Sequence, residues 1–381
     1  MSTPALVRGT PIKAEFVTRP NRFVAKCCLE DGSVVDAFMP NPGRLGELLL
    51  PGARMILEEN SSLTKRRTRF TAAAVYRQDQ LIGLNTLKAN SIVSYLIKHQ
   101  MVPGLEGIRT VSSEVAHGRS RFDFLVENEA GMRFFLEVKS VTLCGNGIAM
   151  FPDAVTGRGS RHLVELAKLS EPKAKSMVLF LVQGKGQEMF VPDYHTDLDF
   201  ARVMSQVRNK VRYVPAAIEW DMELKLKNSV EVLNIPWHFI SKRLVDTGAY
   251  LLTLRIDHRS GINIGALGDL EVRCGYYIYV GSGMSNLSAR IARHLRRRKK
   301  LRWHIDYLCD VADRIQAFPI RSPWSIETEI ATEVARLYEP CMPGFGSSDS
   351  HLSTHLFFSE TNPVAHEAFQ SLLLQFRFVR P

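Results

Sequence analysis

Between Arg121 and Leu143 apolar and charged residues alternate in two runs separated by a polar break. Phe122, Phe124 and Val126 alternate with Asp123 and Leu125, while Phe135, Glu137, Lys139 and Val141 share one face of the second run. A period of two predicts two β-strands. Glu129, Ala130 and Gly131 in the break suit a three-residue hairpin loop with its glycine in the left-handed position. That register sets Asp123 opposite Glu137, with Lys139 one same-face step further on. Charges in so apolar a sheet are costly alone, so a compensating ion is implied.

Elsewhere the pattern changes several times. From Asn21 to Val75 short apolar runs alternate with the turn signals Asp31-Gly32, Asn41-Pro42-Gly43 and Pro51-Gly52, which predicts a small all-β domain or barrel. Lys65, Arg66, Arg67 and Arg69 form a basic loop between two such runs. Residues 157–169 read as a loop feeding a helix, with Ser160 as N-cap and Leu163, Leu166 and Ala167 on the packed face. Arg158, Arg161 and His162 then stand near a helix start, where free amides also attract phosphate. Lys175 to Gln183 is apolar on both faces and reads as a central strand, and Val230 to Ile235 as a short final one.

Pro236 to Asp246 marks a boundary, after which strands are predicted over 248–256 and 274–283. The stretch 286–300 fits a helix with Leu287, Ile291 and Leu295 inward, and Arg290, His294 and Arg297 along a neighbouring stripe.

The chain has 381 residues and 45% hydrophobic content, enough for two or three packed domains. Its 49 Lys and Arg outnumber 39 Asp and Glu, which favours an anionic partner, nucleic acid before membrane. No apolar run approaches the roughly 18 residues of a membrane span, and the start has no secretory apolar region, so a cytoplasmic location is expected. The six cysteines form no Cys-x-x-Cys pair, which argues against a zinc ribbon or a disulfide framework.

Two acids converging on one side of a hairpin suit a hard cation such as Mg²⁺ (or Mn²⁺), and a lysine beside them suits the positioning or deprotonation of an attacking water. Phe-Asp, a spacer and Glu-Val-Lys resemble the PD-(D/E)XK nuclease superfamily, which implies a metal site of Asp123, Glu137 and Lys139, with Glu114 as an additional upstream acid. The alternative for the trio is an ion-paired hairpin without chemistry.

PNPGRLGELLLPG at 40–52, LNTLKAN at 84–90, SRFDF at 120–124, EVKSVTL at 137–143 and FPDAVTGRGSRHLVEL at 151–166 together resemble the sugar fermentation stimulation protein family. The resemblance spans roughly residues 10–236 and implies an OB-like β-barrel, a PD-(D/E)XK-like domain and nucleic-acid binding. Further on, Gly248-Ala249-Tyr250 and Tyr279-Val280-Gly281 resemble the paired tripeptides of the GIY-YIG nuclease superfamily. WHIDYL at 303–308 and PGFGSSD at 343–349 are similar to an uncharacterised subfamily of it. This implies a one-metal phosphodiester site in which Tyr250 or Tyr279 activates water, Arg290 stabilises phosphate charge, His294 adds a polar group and Glu327 holds the metal. Glu327 shares a helical face with Ala331 and Val334, unlike Glu329 and Glu333.

The expectation is therefore a multidomain chain: an OB-like β-barrel over 1–85, an α/β PD-(D/E)XK nuclease-like domain over 86–236 and an α/β GIY-YIG-like domain over 241–381. Its expected activity is metal-dependent hydrolysis of DNA or RNA. Lys65, Arg66, Arg67, Arg69, Arg158, Arg161, His162, Arg297 and Arg298 are the expected nucleic-acid contacts. The rival readings are a DNA-binding regulator that does not cut, and a sugar-metabolism enzyme acting on a small phosphorylated substrate.

Overall fold

The computed structural model describes residues 2–60, 68–118, 120–169, 174–347 and 350–380. Lys65, Arg66 and Arg67 of the expected basic loop lie outside the described residues. Two compact units emerge, residues 1–193 with 199–240, and residues 194–198 with 241–381.

The first unit begins with strands β1 (Ile12–Asn21), β2 (Val24–Leu29), β3 (Val34–Phe38), β4 (Arg54–Glu59), β5 (Phe70–Arg77) and β6 (Gln80–Gly83), in sheet order β3-β2-β1-β4-β5-β6. Pairing of Ala37 with Phe70 and of Phe38 with Thr71 joins β3 to β5 and closes five strands into a barrel. Alanines 25, 37 and 72 fill its interior beside Phe16, Met39 and Leu57. Small side chains leave room for the few large ones in so narrow a barrel.

Helix α1 (Ala89–Lys98) leads into a six-stranded sheet made from β7 (Arg109–His117), β8 (Ser120–Glu127), β9 (Arg133–Val141), β12 (Ala174–Gln183), β14 (Val211–Trp220) and β15 (Leu226–Val232). Between these come β10 (Leu143–Gly145), β11 (Ile148–Phe151), α2 (Gly157–Lys168), β13 (Met189–Pro192) and α3 (Leu198–Gln206). The sheet order is β15-β14-β12-β9-β8-β7, with β9, β12 and β14 parallel. Ile92, Val93 and Leu96 of α1 cover one face against Leu136, Val138 and Leu179. Leu163 and Leu166 of α2 with Phe200 and Met204 of α3 cover the other against Phe135, Val178 and Phe180. A strand covered on both faces must be apolar on both, which explains the unbroken run of β12. Barrel residues Ile56, Ala73, Ala74 and Leu81 join the α1-side core, so barrel and α/β domain form one unit.

The second unit is a three-layer α/β domain. Strands β16 (Gly248–Ile256), β19 (Gly275–Ser282), β20 (Arg314–Arg321), β21 (Glu339–Pro340) and β22 (Leu356–Ser359) form an antiparallel sheet, and β17 (Ser260–Asn263) pairs with β18 (Asp269–Val272) apart from it. Helix α4 (Trp237–Arg243) comes before this sheet. Helices α5 (Leu287–Leu295) and α6 (His304–Val311) cover one face, with Leu287, Ile305 and Leu308 in its core. The other face is covered by α7 (Glu327–Leu337) and α8 (Glu367–Arg377), with Ile330, Val334 and Phe369.

Several expected boundaries move. Thr156, not Ser160, caps α2: its hydroxyl accepts from the Gly159 amide at 3.0 Å. The final strand of the first sheet is Leu226–Val232 instead of 230–235. Helix α5 stops at Leu295, with Arg296 extended, and Leu295 is 45% exposed, not inward. Residues 296–300 are all Arg or Lys and offer no apolar side chain to pack. Lys299 instead turns back to the His294 carbonyl at 2.8 Å.

Candidate nuclease-like sites

The hairpin of β8 and β9 has the expected loop. The Asn128 amide bonds to the Met132 carbonyl at 3.0 Å, and Gly131 has φ 74°. Pairing of Phe124 with Leu136 brings Asp123 and Glu137 to adjacent places where the ladder gives way to side-chain bonds. Asp123 Oδ2 accepts from the Val138 amide at 2.7 Å, and Oδ1 from Asn90 Nδ2 of α1 at 2.8 Å. Glu137 is 5% exposed, and its Oε1 meets both Lys139 Nζ and His162 Nδ1, the latter at 2.9 Å. Burial, with Glu137 second, pushes the Asp123 carboxyl up from its ordinary value.

These residues open onto a cleft of about 700 Å³, also lined by Arg22, Asn41, Asp153 and Arg158. The barrel loop in its wall is fixed from both sides. Arg19 donates to the carbonyls of Asn41 and Gly43, and Asp153 Oδ2 accepts from the Leu45 amide at 2.7 Å.

Glu114 is not among the residues lining this cleft. A left-handed backbone at Glu114 (φ 54°) interrupts the ladder between the pairs Ser113–Phe124 and Val115–Phe122, and its carboxylate pairs with Arg121 at 3.1 Å. His162 sits on Glu137 rather than open to phosphate, whereas Arg158 and Arg161 are exposed near the start of α2. Arg69 is ion-paired to Glu59 at 2.6 Å. Among the described residues no cluster of three or more His, Cys, Asp or Glu has the arrangement of a metal site. Asp123 and Glu137 nevertheless suit magnesium, which takes one or two carboxylates and keeps several waters. Burial is the main reason the Asp123 carboxyl is raised, and the smaller part that comes from Glu137 is what a divalent ion between the two acids would relieve.

In the second unit Tyr250, Tyr279, Arg290 and His294 line a smaller pocket of about 230 Å³, with Trp303, Gly344 and Gly346. Tyr250 is 1% exposed, and its hydroxyl meets His294 Nε2 at 2.9 Å. Gly281 makes room for it, since a Cβ there would lie 2.5 Å from the Tyr250 hydroxyl. His294 is fully buried, not on a solvent stripe, and burial pushes its pKa from 6.5 down to about 4 despite Asp306 nearby. Its Nδ1 faces Asp306 Oδ1 at 3.5 Å, which favours the tautomer that leaves Nε2 to accept from Tyr250. Burial raises both phenols above the usual tyrosine range, with Tyr279 and Glu327 respectively adding to it.

Arg290 donates to the Ser282 carbonyl and lies 4.6 Å above the Trp303 ring. Glu327, at the start of α7, is not part of the pocket lining. Its Oε1 bonds to His355 Nδ1 at 3.2 Å, and His355 Nε2 to Ser350 Oγ at 2.9 Å. Glu327 offers a single carboxylate, whereas the hairpin offers two, and Glu137 is engaged by a histidine just as Glu327 is. Arg297 and Arg298 follow the end of α5 and are exposed.

Sequence reasoning missed Asn90, Asp306 and His355, and missed that His162 belongs with Glu137. Asn90, Asp306 and His162 lie within the motifs named above, but their partners, like that of His355, are set only by the tertiary fold.

A closed five-strand barrel followed by a mixed sheet with a cleft lined by Asp123, Glu137 and Asp153 defines a protein with an OB-like barrel and an α/β domain. Residues 17–84 match the SfsA N-terminal OB domain, 87–224 the Sugar fermentation stimulation protein RE domain, and 249–377 the Domain of unknown function DUF123. A Sugar fermentation stimulation protein homolog of Clostridium botulinum is 36% identical over 199 residues, covering 52% of this chain and 86% of that relative. The Clostridium novyi homolog is 35% identical over the same shares. The chain belongs to the sugar fermentation stimulation protein family. A solved structure, Pyrococcus furiosus SfsA in complex with Ca²⁺, is similar in fold with TM-score 0.55 and 24% identity, covering 62% of this chain and 99% of that one.

Proposed function

We propose that this protein is a metal-dependent nuclease whose principal centre is the Asp123–Glu137–Lys139 cluster of the first unit. The observation that carries the reading is the convergence of two carboxylates and a lysine, from adjacent strands, on an open cleft with Arg22 and Arg158 at its sides. The calcium complex of the Pyrococcus relative agrees with a divalent-ion site in the same fold. When bound, Mg²⁺ or Mn²⁺ would neutralise charge on phosphorus and lower the pKa of water. Asp123 and Glu137 would hold the ion, with Asp123 fixed by Asn90 and the Val138 amide. Lys139 would orient the attacking water, and Arg158 would draw the phosphate in.

The second unit would supply a separate phosphodiester site. Both phenols are neutral at rest, so as the Tyr250 oxygen takes a proton from the attacking water its own proton would pass to His294 Nε2, which accepts its hydrogen bond and is unprotonated near pH 7. Arg290 would balance phosphate charge, and Glu327 is the residue proposed for metal there. The regulator reading has one observation in its favour: Glu137 already has an ion pair with Lys139 and a hydrogen bond with His162.

Incubating the full chain with single- and double-stranded DNA and RNA, with and without Mg²⁺ or Mn²⁺, tests the proposal. Cleavage that requires metal and is lost in Asp123→Ala supports it, and binding without cleavage under every condition supports the regulator. Affinity should also fall steeply with salt, because phosphate contacts release counterions. Arg297→Glu with Arg298→Glu should reduce the log–log slope by about 2, roughly one per contact. An unchanged slope would remove these residues from the interface.

A further inference from the structure

Two large aliphatic side chains stand out at the principal cleft. Leu87 is 69% exposed and Val155 70% exposed, and both line the cleft that holds Asp123 and Glu137. A single exposed aliphatic residue needs no explanation. Here two, from distant parts of the chain, meet at one polar cleft, and each is presented by a fixed turn. Asn85 Oδ1 accepts from the Leu87 amide at 3.2 Å, and the Thr86 hydroxyl donates to the Pro40 carbonyl at 2.8 Å. Val155 lies just before Thr156, the cap of α2, and after Asp153, which is bonded to the Leu45 amide. On the barrel side Arg22 lines the cleft and lies 4.7 Å over the ring of Phe23, itself 46% exposed.

We infer that this cleft takes a nucleic-acid strand whose bases are unpaired, with Leu87 and Val155 against base faces and Arg22 and Arg158 on the flanking phosphates. The inference rests on the nuclease reading of the first unit and adds its substrate class. A duplex offers a protein its phosphates, sugars and groove edges, but keeps its base faces stacked inside. Apolar side chains gain from bases only where these are unstacked or splayed. Single-strand binders combine such contacts with a cationic track along the backbone, and Arg22 and Arg158 supply the cations here. The volume agrees, since about 700 Å³ has room for a nucleotide or two.

The test uses the full chain in EDTA, so that binding is read without cleavage, with labelled oligonucleotides as single strand and as blunt duplex in fluorescence anisotropy. The single strand should bind about tenfold more tightly. Leu87→Ser with Val155→Ser should weaken single-strand binding by about fivefold or more, while duplex affinity and the salt slope stay unchanged. Both positions are exposed, and circular dichroism confirms the fold of the variant. Equal affinity for the two forms, or a double variant that binds the single strand unchanged, would overturn the inference. Cleavage with Mg²⁺ in parallel separates the two readings. Asp123-dependent cutting of duplex and single strand alike would leave the nuclease intact and remove the substrate class. Binding with the expected preference but no cutting would do the reverse.

Discussion

Asp306→Ala should lower the stability of the second unit more than any other single polar substitution described above. The Asp306 carboxylate is wholly buried, takes both arms of Arg293 at 2.7 and 2.8 Å, and accepts the amides of Arg302 and Trp303 at 2.9 and 3.0 Å. Lys299 stands 3.7 Å away. Removing the acid strands cations and two backbone donors, a loss of roughly 3–5 kcal/mol for a broken buried pair, or about 10–20 °C in Tm for a unit of this size. Thermal unfolding of the variant beside the intact chain reads this directly, and a Tm within 2 °C or so would contradict it.

The same network predicts how acid acts. Burial pushes the Asp306 carboxyl up, but the bonds from Arg293, Trp303 and Arg302 outweigh it and bring the pKa down from 3.8 to about 2. Its contribution is complete above pH 4 and disappears as pH falls through 2. His294, lowered from 6.5 to about 4, adds an earlier stage, because the unfolded chain takes up its proton first as pH falls below 6.5. Tm of the second unit should thus decline in two stages, and the first should vanish in His294→Gln.

Glu137→Gln and Lys139→Ala should separate metal binding from chemistry. The glutamine keeps the shape of the side chain but gives up the charge shared with Asp123, so affinity for Mn²⁺ should fall about 10–100-fold by titration calorimetry. Lys139 touches Glu137 but is no ligand, so its alanine variant should retain the metal while cleavage falls by about 10²–10⁴. If both variants keep both properties, the cluster is an ion-paired hairpin and nothing more.

The parts of this molecule legible in its sequence are those with local causes. The hairpin of β8 and β9 was readable because the period of two and Gly131 act within about twenty residues. Strand β16 was readable for the same reason, as an apolar run bounded by Gly248. The end of α5 was not, because arginine and lysine are good helix formers and only the lack of a packing partner stops the helix. Glu114 looked like an additional upstream acid, yet its own left-handed backbone goes with a carboxylate paired to Arg121. The partners of Glu137 and Glu327, His162 and His355, are set by the packing of helices on sheets. No spacing in the chain announces such pairs.

The central claim is that Asp123 and Glu137 together hold a divalent cation. A crystal of the full chain grown with Mn²⁺ and measured at the manganese absorption edge tests it most directly. The account predicts an anomalous peak at roughly 2.0–2.4 Å from a carboxylate oxygen of each residue, facing the cleft, and no such peak in Asp123→Ala. A peak at Glu327 with none at the hairpin, in a protein that still cuts nucleic acid, would contradict it.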